Sequence, residues 1–345
     1  MRQRESWLRD AGRHGEQHTA SGEGRGEGES QHISVQTCYP SALSSVSGEK
    51  SSGGRGYADL HLHTSASDGC LSPAEVVEVA AKEGLAAIAI CDHDTVAGLP
   101  EAIAAAEKIG IELIPGLELS SYLPTPAALE LAGKPGSEVH ILGYYFDYEN
   151  VALAAVLRRL CAERLERVKK MIYLLGELGV NLEQSEIDRA AAFGSVGRMH
   201  VARALVKQGF VSDTREAFAQ YIGGGKPAYV PRVHVTPAEA CGVIRRAKGI
   251  PVLAHPSLLD SDKLIPTLVK EGVMGIEAYY RTVSAQVAEH YCRLAEKWGL
   301  LVTGGSDSHQ GKNGPFLIGA VKLDYVHVEK LKKKASELLV GEGQK

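Results

Sequence analysis

The sequence predicts a barrel-like α/β fold, and three observations carry that expectation. From Tyr57 onward, short apolar runs alternate with amphipathic helical patterns, which is how a parallel sheet with crossover helices is written. Histidines and acids recur at those apolar runs and their ends, and the C-terminal end of a barrel strand is where such folds gather their chemistry. A chain of 345 residues, 44% apolar and 23% charged, has the length and composition for one large domain or two small ones.

Strands are expected over 58–62, 86–91, 112–117, 139–145, 251–254, 275–278 and 300–303. Helices over 73–83 and 99–109 carry apolar residues at three-to-four spacing and end beside Gly84 and Gly110. Between the fourth and fifth strands the pattern turns purely helical, with a long amphipathic stretch over 151–178 and shorter pieces over 185–193 and 198–208. That is far too long for a loop, so residues 151–234 read as an inserted helical subdomain between barrel segments 57–150 and 235–330. The insertion holds 13 Lys+Arg against 8 Asp+Glu, a balance of +5, while the rest of the chain stands at −9. A basic cap over an acidic body suits capture of an anionic substrate, although ion pairs along a solvated face would account equally well for the charges over 158–170. Residues 1–56 hold ten glycines and few apolar side chains, and are expected to be a disordered leader; 331–345 are read as a C-terminal tail.

A net charge of −4 argues against a generally basic nucleic-acid coat. Six cysteines without a CxxC pair are the usage of a reducing compartment, so a cytoplasmic protein is expected. No apolar run approaches the roughly 20 residues of a membrane span, and no obligate protein partner is implied.

The first strand ends Asp59-Leu-His-Leu-His-Thr64, and residues two apart on a strand share a face, so His61 and His63 project together. Asp68 follows on the next loop, where a helix-capping carboxylate is the plain alternative. The second strand ends Cys91-Asp-His-Asp94 with His93, the third contains Glu118 in Gly116-Leu-Glu-Leu-Ser120, and the fourth carries His140 within Glu138-Val-His-Ile-Leu142. The fifth ends Ala254-His-Pro256 with His255, and Gly304-Gly-Ser-Asp-Ser-His309 follows the last with Asp307 and His309. Each residue alone reads as a buried histidine or a capping acid. Jointly, six of thirteen histidines and three carboxylates at repeating strand positions indicate a multinuclear hydrolytic metal site, and the thiolate-free donor set suits Mn, Fe or Zn.

The order His-x-His, Asp-His-Asp, Gly-x-Glu-x-Ser, Ala-His-Pro and Ser-Asp-x-His resembles the polymerase and histidinol phosphatase (PHP) superfamily of metal-dependent phosphoesterases, over roughly residues 57–319. The resemblance implies a distorted seven-stranded (β/α) barrel. The helical insertion, with Gly197-Arg-Met-His200 and Gly224-Gly-Lys-Pro-Ala-Tyr-Val-Pro231, is similar to the branch that acts on nucleotides. That branch removes the 3′-phosphate of nucleoside 3′,5′-bisphosphates or trims short RNA from its 5′ end, so a small anionic nucleotide, or short RNA, is the implied partner. Met199 departs from the branch's usual proline, and Tyr280-Arg281 from its usual histidine or proline.

Carried over by position, the resemblance places one metal on His61, His63, Glu118 and Asp307, a second on Glu118, His140 and His255, and a third on Asp68, His93 and His309. Two to three divalent ions follow, Mn first, with Zn, Fe or Mg as alternatives. The expected nucleophile is metal-bound hydroxide, with no side-chain nucleophile. Arg198, His200, Lys226 and Arg281 are candidate phosphate contacts, and Asp92 and Asp94 are expected to orient imidazoles from behind. Gly223-Gly-Gly-Lys226 lacks the spacing of a phosphate loop, and Ser306 lacks the GxSxG of a nucleophile elbow. Two other readings stand beside the nucleotide phosphoesterase. A histidinol-phosphate phosphatase is disfavoured by the long insertion. A metal-stabilised accessory domain is disfavoured because every ligand position is filled.

Overall fold

The computed structural model describes residues 56–123, 138–183, 185–232, 235–259, 261–309 and 317–340. The leader expected over 1–56 lies, apart from Gly56, outside the described residues.

Eight strands form one sheet in the order β7-β6-β5-β4-β3-β2-β1-β8. They are β1 Tyr57–Leu62, β2 Ala87–Ile90, β3 Glu112–Tyr122, β4 Glu138–Tyr144, β5 Ile250–Leu253, β6 Gly275–Tyr280, β7 Leu301–Gly305 and β8 Leu323–Asp324. The sheet curls almost into a barrel: beyond β7, Ser308 bridges to Leu62, and the His63 N–H donates to the Ser308 carbonyl at 3.0 Å. Gly305 permits this closure, since a Cβ there would meet the His61 Cβ at 2.3 Å.

The structure departs from the expected parallel seven-stranded sheet in two ways. β4 runs antiparallel to both β3 and β5, and a short β8 adds antiparallel to β1. The reversal of β4 matters for the site. Its first residues, not its last, lie at the mouth where the parallel strands end, so His140, paired with Ser120, reaches the same rim as the C-terminal ends of β1, β2 and β5.

Residue size sorts the layers. Ala87 and Ala89 of β2, and Cys91 just after it, join Leu60, Ile114, Leu142, Tyr144 and Val252 in one buried cluster, while Ile88 and Ile90 face a second cluster shared with the outer helices α1 Pro73–Lys82 and α2 Leu99–Ile109. Small residues on one face and branched ones on the other are the period-two pattern of a sheet covered on both sides. Helix starts are set locally: Ser72 and Glu75 form a capping box on α1, and the left-handed Gly110 ends α2.

The insertion opens with α3 Val151–Glu177, about 40 Å long at 1.5 Å per residue. Its first half belongs energetically to the barrel, because Leu153, Leu157 and Leu160 pack in the outer cluster. Its second half, with Val168, Met171 and Leu175, builds a separate core with α4 Ser185–Phe193, α5 Arg198–Lys207, α6 Thr214–Ala217 and the π-helical turn Phe218–Ile222. One continuous helix thus ties the two bodies together. The outer layer continues with α7 Pro237–Arg246, α8 Ile265–Glu271 and α9 Ala285–Trp298.

Residues 331–340, read above as part of a tail, continue α10 Val326–Val340. Val328, Leu331 and Ala335 are buried against the inner cluster, and Lys332 Nζ contacts Glu112 Oε2 at 2.7 Å. An interior helix face repeats every three to four residues, which the run of lysines over 332–334 obscures. Leu331→Ala should therefore cost about 2–4 kcal/mol in denaturant unfolding. A change within about 0.5 kcal/mol, the range of ordinary surface substitutions, would restore the tail reading.

Candidate metal centre

Glu118 lies fully buried at the mouth of the barrel, and five imidazoles face its two oxygens. His61 Nε2 stands 3.4 Å, His63 Nε2 3.3 Å and His93 Nδ1 3.0 Å from Oε2. His140 Nδ1 at 2.7 Å and His255 Nε2 at 3.1 Å face Oε1. Asp307 Oδ1 lies 3.0 Å from His63 Nε2 and 3.6 Å from His61 Nε2, and His309 Nε2 approaches Asp68 Oδ1 at 3.1 Å. All nine expected ligand residues therefore gather at one mouth.

Their donor atoms fall into three groups, each with atoms within 4.8 Å of one another: His61, His63, Glu118 and Asp307; His93, Glu118 and His140; and His63, Asp68, His93 and His309. His255 joins the second by its approach to His140 Nδ1 at 3.2 Å. Compared with the expected sets, His93 faces Glu118 as well as Asp68, and His63 faces two groups.

Two β-bulges aim these side chains. Between Asp59 and Leu62, β1 holds one residue more than β2 opposite, so that Leu60 enters the inner cluster and His61 can still face Glu118. An extra residue between Glu277 and Tyr279 on β6 likewise turns Tyr280 inward, where its hydroxyl donates to Asp307 Oδ2 at 2.8 Å. Backbone strain concentrates here too: His255, Asp307 and Asp94 adopt φ of 25°, 50° and 54°. For such residues the left-handed region is unfavourable, and it persists only where surrounding contacts over-determine it.

Acids and imidazoles here shift one another strongly. Burial opposes charge throughout, yet Asp307 and Glu118 push His63 up to about 10, and Glu118 and Glu138 push His140 up to about 10. Against the same burial, the imidazoles hold Glu118, Asp307 and Asp68 well below the usual carboxylate range. His93 goes the other way, to about 3, because burial dominates. His61 Nε2, His63 Nε2, His93 Nδ1 and Glu118 Oε2 are buried without a hydrogen-bond partner among the described residues. Orphaned donor atoms around shared carboxylates, with no thiolate, fit divalent cations of the Mn, Fe or Zn type.

Support comes from residues the sequence reading did not single out. Glu277, fully buried on β6, meets His61 Nδ1 at 3.0 Å through Oε1 and accepts from the His255 N–H at 2.7 Å through Oε2. An acid inside the apolar run Gly275-Ile-Glu-Ala278 was the available signal. Asp59 accepts from the backbone N–H of Ser306 and of Gly319, each at 2.9 Å, bracing the segment before Asp307. Asp92 and Asp94 do not orient imidazoles as expected. Asp92 accepts from the Thr64 N–H at 2.8 Å and from the Thr64 and Ser67 hydroxyls at 2.6 Å, pinning the loop that carries Asp68. Asp94 accepts from Arg164 Nε of α3 at 2.6 Å and from the Ser120 N–H at 2.8 Å, tying insertion to rim.

The insertion grips the same loop. The Ser195 N–H donates to the Ala66 carbonyl at 2.9 Å, a Cβ on Gly194 would meet that carbonyl at 2.0 Å, and Arg203 Nη2 donates to the Asp68 carbonyl at 2.7 Å. His200, expected at a phosphate, accepts from the Gly197 N–H at 3.1 Å through Nδ1, at the start of its own helix. Arg198 stands 3.7 Å from Glu138 and over the Phe218 ring. Lys226 is exposed and forms no ion pair among the described residues. Arg281 lies over the Tyr280 ring, at the edge of a surface cavity of about 440 Å³ that Tyr279, Cys292 and Lys322 also line.

A buried imidazole and carboxylate centre at the mouth of an α/β barrel defines a metal-dependent hydrolase. Residues 59–216 match the PHP domain. The chain is 35% identical over 262 residues to a 5′-3′ exoribonuclease of Haemophilus influenzae, covering 73% of this chain and 89% of that one. It is 34% identical over 271 residues to a 3′,5′-nucleoside bisphosphate phosphatase of Chromobacterium violaceum, covering 74% and 88%. A crystal structure of a protein from Bifidobacterium adolescentis, assigned as a metal-dependent phosphoesterase, superposes with a TM-score of 0.71 at 30% identity, covering 80% of this chain and 96% of that one. The chain belongs to the PHP family, and it is a hydrolase of phosphoric ester bonds.

Because Glu277 fixes one ligand ring and the backbone of another, Glu277→Ala should weaken metal binding by about 10- to 100-fold while the protein stays folded. Calorimetric titration with Mn²⁺ measures this; an unchanged affinity would remove Glu277 from the centre's support.

Proposed function

We propose that this enzyme removes the 3′-phosphate from nucleoside 3′,5′-bisphosphates, working in the cytoplasm with two to three Mn²⁺ ions. Cleavage of short RNA from its 5′ end is the second reading, favoured by the similarity to the Haemophilus influenzae exoribonuclease. The observation that carries the proposal is Glu118 shared among five imidazoles, of which His61 Nε2, His63 Nε2 and His93 Nδ1 are buried without a hydrogen-bond partner among the described residues.

In this reading His61, His63, Glu118 and Asp307 hold one ion, Glu118, His140 and His255 a second, and Asp68, His93 and His309 a third. Divalent ions bound there would supply charge neutralisation at a phosphoryl group and acidify water. The chain's own part is placement. Glu277 and Tyr280 keep His61 and Asp307 oriented through contacts of 3.0 and 2.8 Å, so little reorganisation is needed as charge develops. Arg198 beside Glu138, Arg281 over the Tyr280 ring and the exposed Lys226 are the phosphate contacts of this reading. His200, whose Nδ1 accepts from the Gly197 N–H, remains a further phosphate contact of this reading through Nε2. The separate core of the helical insertion disfavours the histidinol-phosphate phosphatase reading.

Phosphate release from a panel of nucleoside 3′,5′-bisphosphates, dinucleotides and histidinol phosphate tests the proposal. Activity should vanish on chelation, return with Mn²⁺, and be highest on the bisphosphates. Full activity in a verified metal-free preparation would refute the metal mechanism, and preference for histidinol phosphate would refute the substrate assignment.

A further inference from the structure

Two rings of the metal centre meet glutamates that lie outside the ligand set, and those glutamates are anchored differently. Glu277 meets His61 from the fully buried interior, and its other oxygen is fixed by the His255 N–H. Glu138 meets His140 at the rim, where the Glu138 side chain is 30% exposed. Glu138 and His140 are two apart on β4 and share a face, opposite Tyr122 and Ser120 of β3, while Val139 between them turns into the outer cluster.

The contacts of His140 divide its two nitrogens between different tasks. Nε2 stands 3.0 Å from Glu138 Oε1, whereas Nδ1 stands 2.7 Å from Glu118 Oε1 and 3.2 Å from His255 Nε2. An ionised carboxylate only accepts, so in the neutral ring Nε2 carries the proton toward Glu138. Nδ1 then keeps its lone pair on the side of Glu118, where a cation can take it.

A half-exposed glutamate has rotamers to spare, and the insertion removes them. Arg232 Nη1 stands 3.0 Å from the same Oε1, and Arg198 Nη2 stands 3.7 Å from Oε2. The Arg232 side chain is only 12% exposed, and two residues before it the Val230 carbonyl accepts from Arg167 Nε of α3 at 2.7 Å. A line of contacts therefore runs from the long helix through Arg232 and Glu138 to a ring that faces Glu118.

We infer that Glu138 is a positioning residue of the metal centre: clamped by Arg232 of the insertion, it fixes the His140 ring so that Nδ1 meets the ion held with Glu118 and His255. The inference rests on the metal-dependent reading above and deepens it, because it makes the insertion a determinant of metal affinity. Its sign is distinctive. A guanidinium near a cation site weakens cation binding by simple repulsion. Acting through Glu138, Arg232 strengthens it.

The test is calorimetric titration of the full-length chain with Mn²⁺ alone, after chelation, for the parent and for Glu138→Ala, Glu138→Gln and Arg232→Gln. Glu138→Ala should weaken one class of Mn²⁺ sites by about 10- to 100-fold and leave the others unchanged. Glu138→Gln should recover part of the loss, since its amide oxygen still accepts from Nε2–H. Arg232→Gln should weaken the same class, and should add nothing in the Glu138→Ala background. Turnover of Glu138→Ala should be lost at limiting Mn²⁺ and return in excess, which a folding defect would not do. Parent-like affinity of Glu138→Ala in every class overturns the inference, as does an equal loss in Glu138→Ala and Glu138→Gln, which would make charge alone the cause. Tighter Mn²⁺ binding by Arg232→Gln overturns the clamp. The Glu138 variants, at a part-exposed rim position, report even if Arg232→Gln fails to fold. A parent chain that binds no Mn²⁺ would overturn the metal reading itself and this inference with it.

Discussion

The carboxylate of Glu118 is the constraint around which this molecule is arranged. A buried carboxylate must be compensated, and here the compensation comes from imidazoles delivered by four separate strands or their ends: His61 and His63, His93, His140 and His255. That requirement fixes where those strands must terminate. It explains why β4 can run backwards without loss, because a ligand near its first residue reaches the same mouth as ligands at the ends of its neighbours. It also explains why the barrel closes at Gly305, where any side chain would displace His61.

Departures from regular structure cluster on the same ring of residues. The two bulges lie in β1 and β6, the strands carrying His61 and Glu277, and three left-handed non-glycine residues, Asp94, His255 and Asp307, lie at strand ends around the mouth. Each works against local preference, at roughly 1–3 kcal/mol for the backbone strain. They are held by buried hydrogen bonds from Glu277, Tyr280 and Arg164. The insertion takes part in this bracing: Arg164 grips Asp94, while Ser195 and Arg203 grip the loop of Asp68. It is therefore part of the scaffold that holds these residues.

Much of this was legible in the sequence, for definite reasons. His61 and His63 declared themselves by a spacing of two on a strand, and the other ligands by recurrence at strand ends, a one-dimensional pattern with a direct spatial meaning. The direction of β4 was not legible, because an apolar strand reads alike in either sense. Glu277 was hidden as a lone acid in an apolar run, and the jobs of Asp92 and Asp94 were misread because adjacency to His93 suggested contact with it. In the fold their carboxylates bond Thr64, Ser67 and Arg164 instead. Leu331 and Ala335 were lost among lysines. Net charge located the insertion's positive balance but could not separate Arg164, which is satisfied, from Arg167, which is not; that distinction exists only in three dimensions.

The central claim is that Glu118 is a shared anchor for cations, and anomalous diffraction from Mn²⁺-loaded crystals tests it most directly. The account predicts two peaks flanking the Glu118 carboxylate, one among His61, His63 and Asp307 and one between His140 and His255, with a third beside Asp68. A well-ordered map with no peak at Glu118, its oxygens instead hydrogen-bonded to protonated histidines, would contradict it.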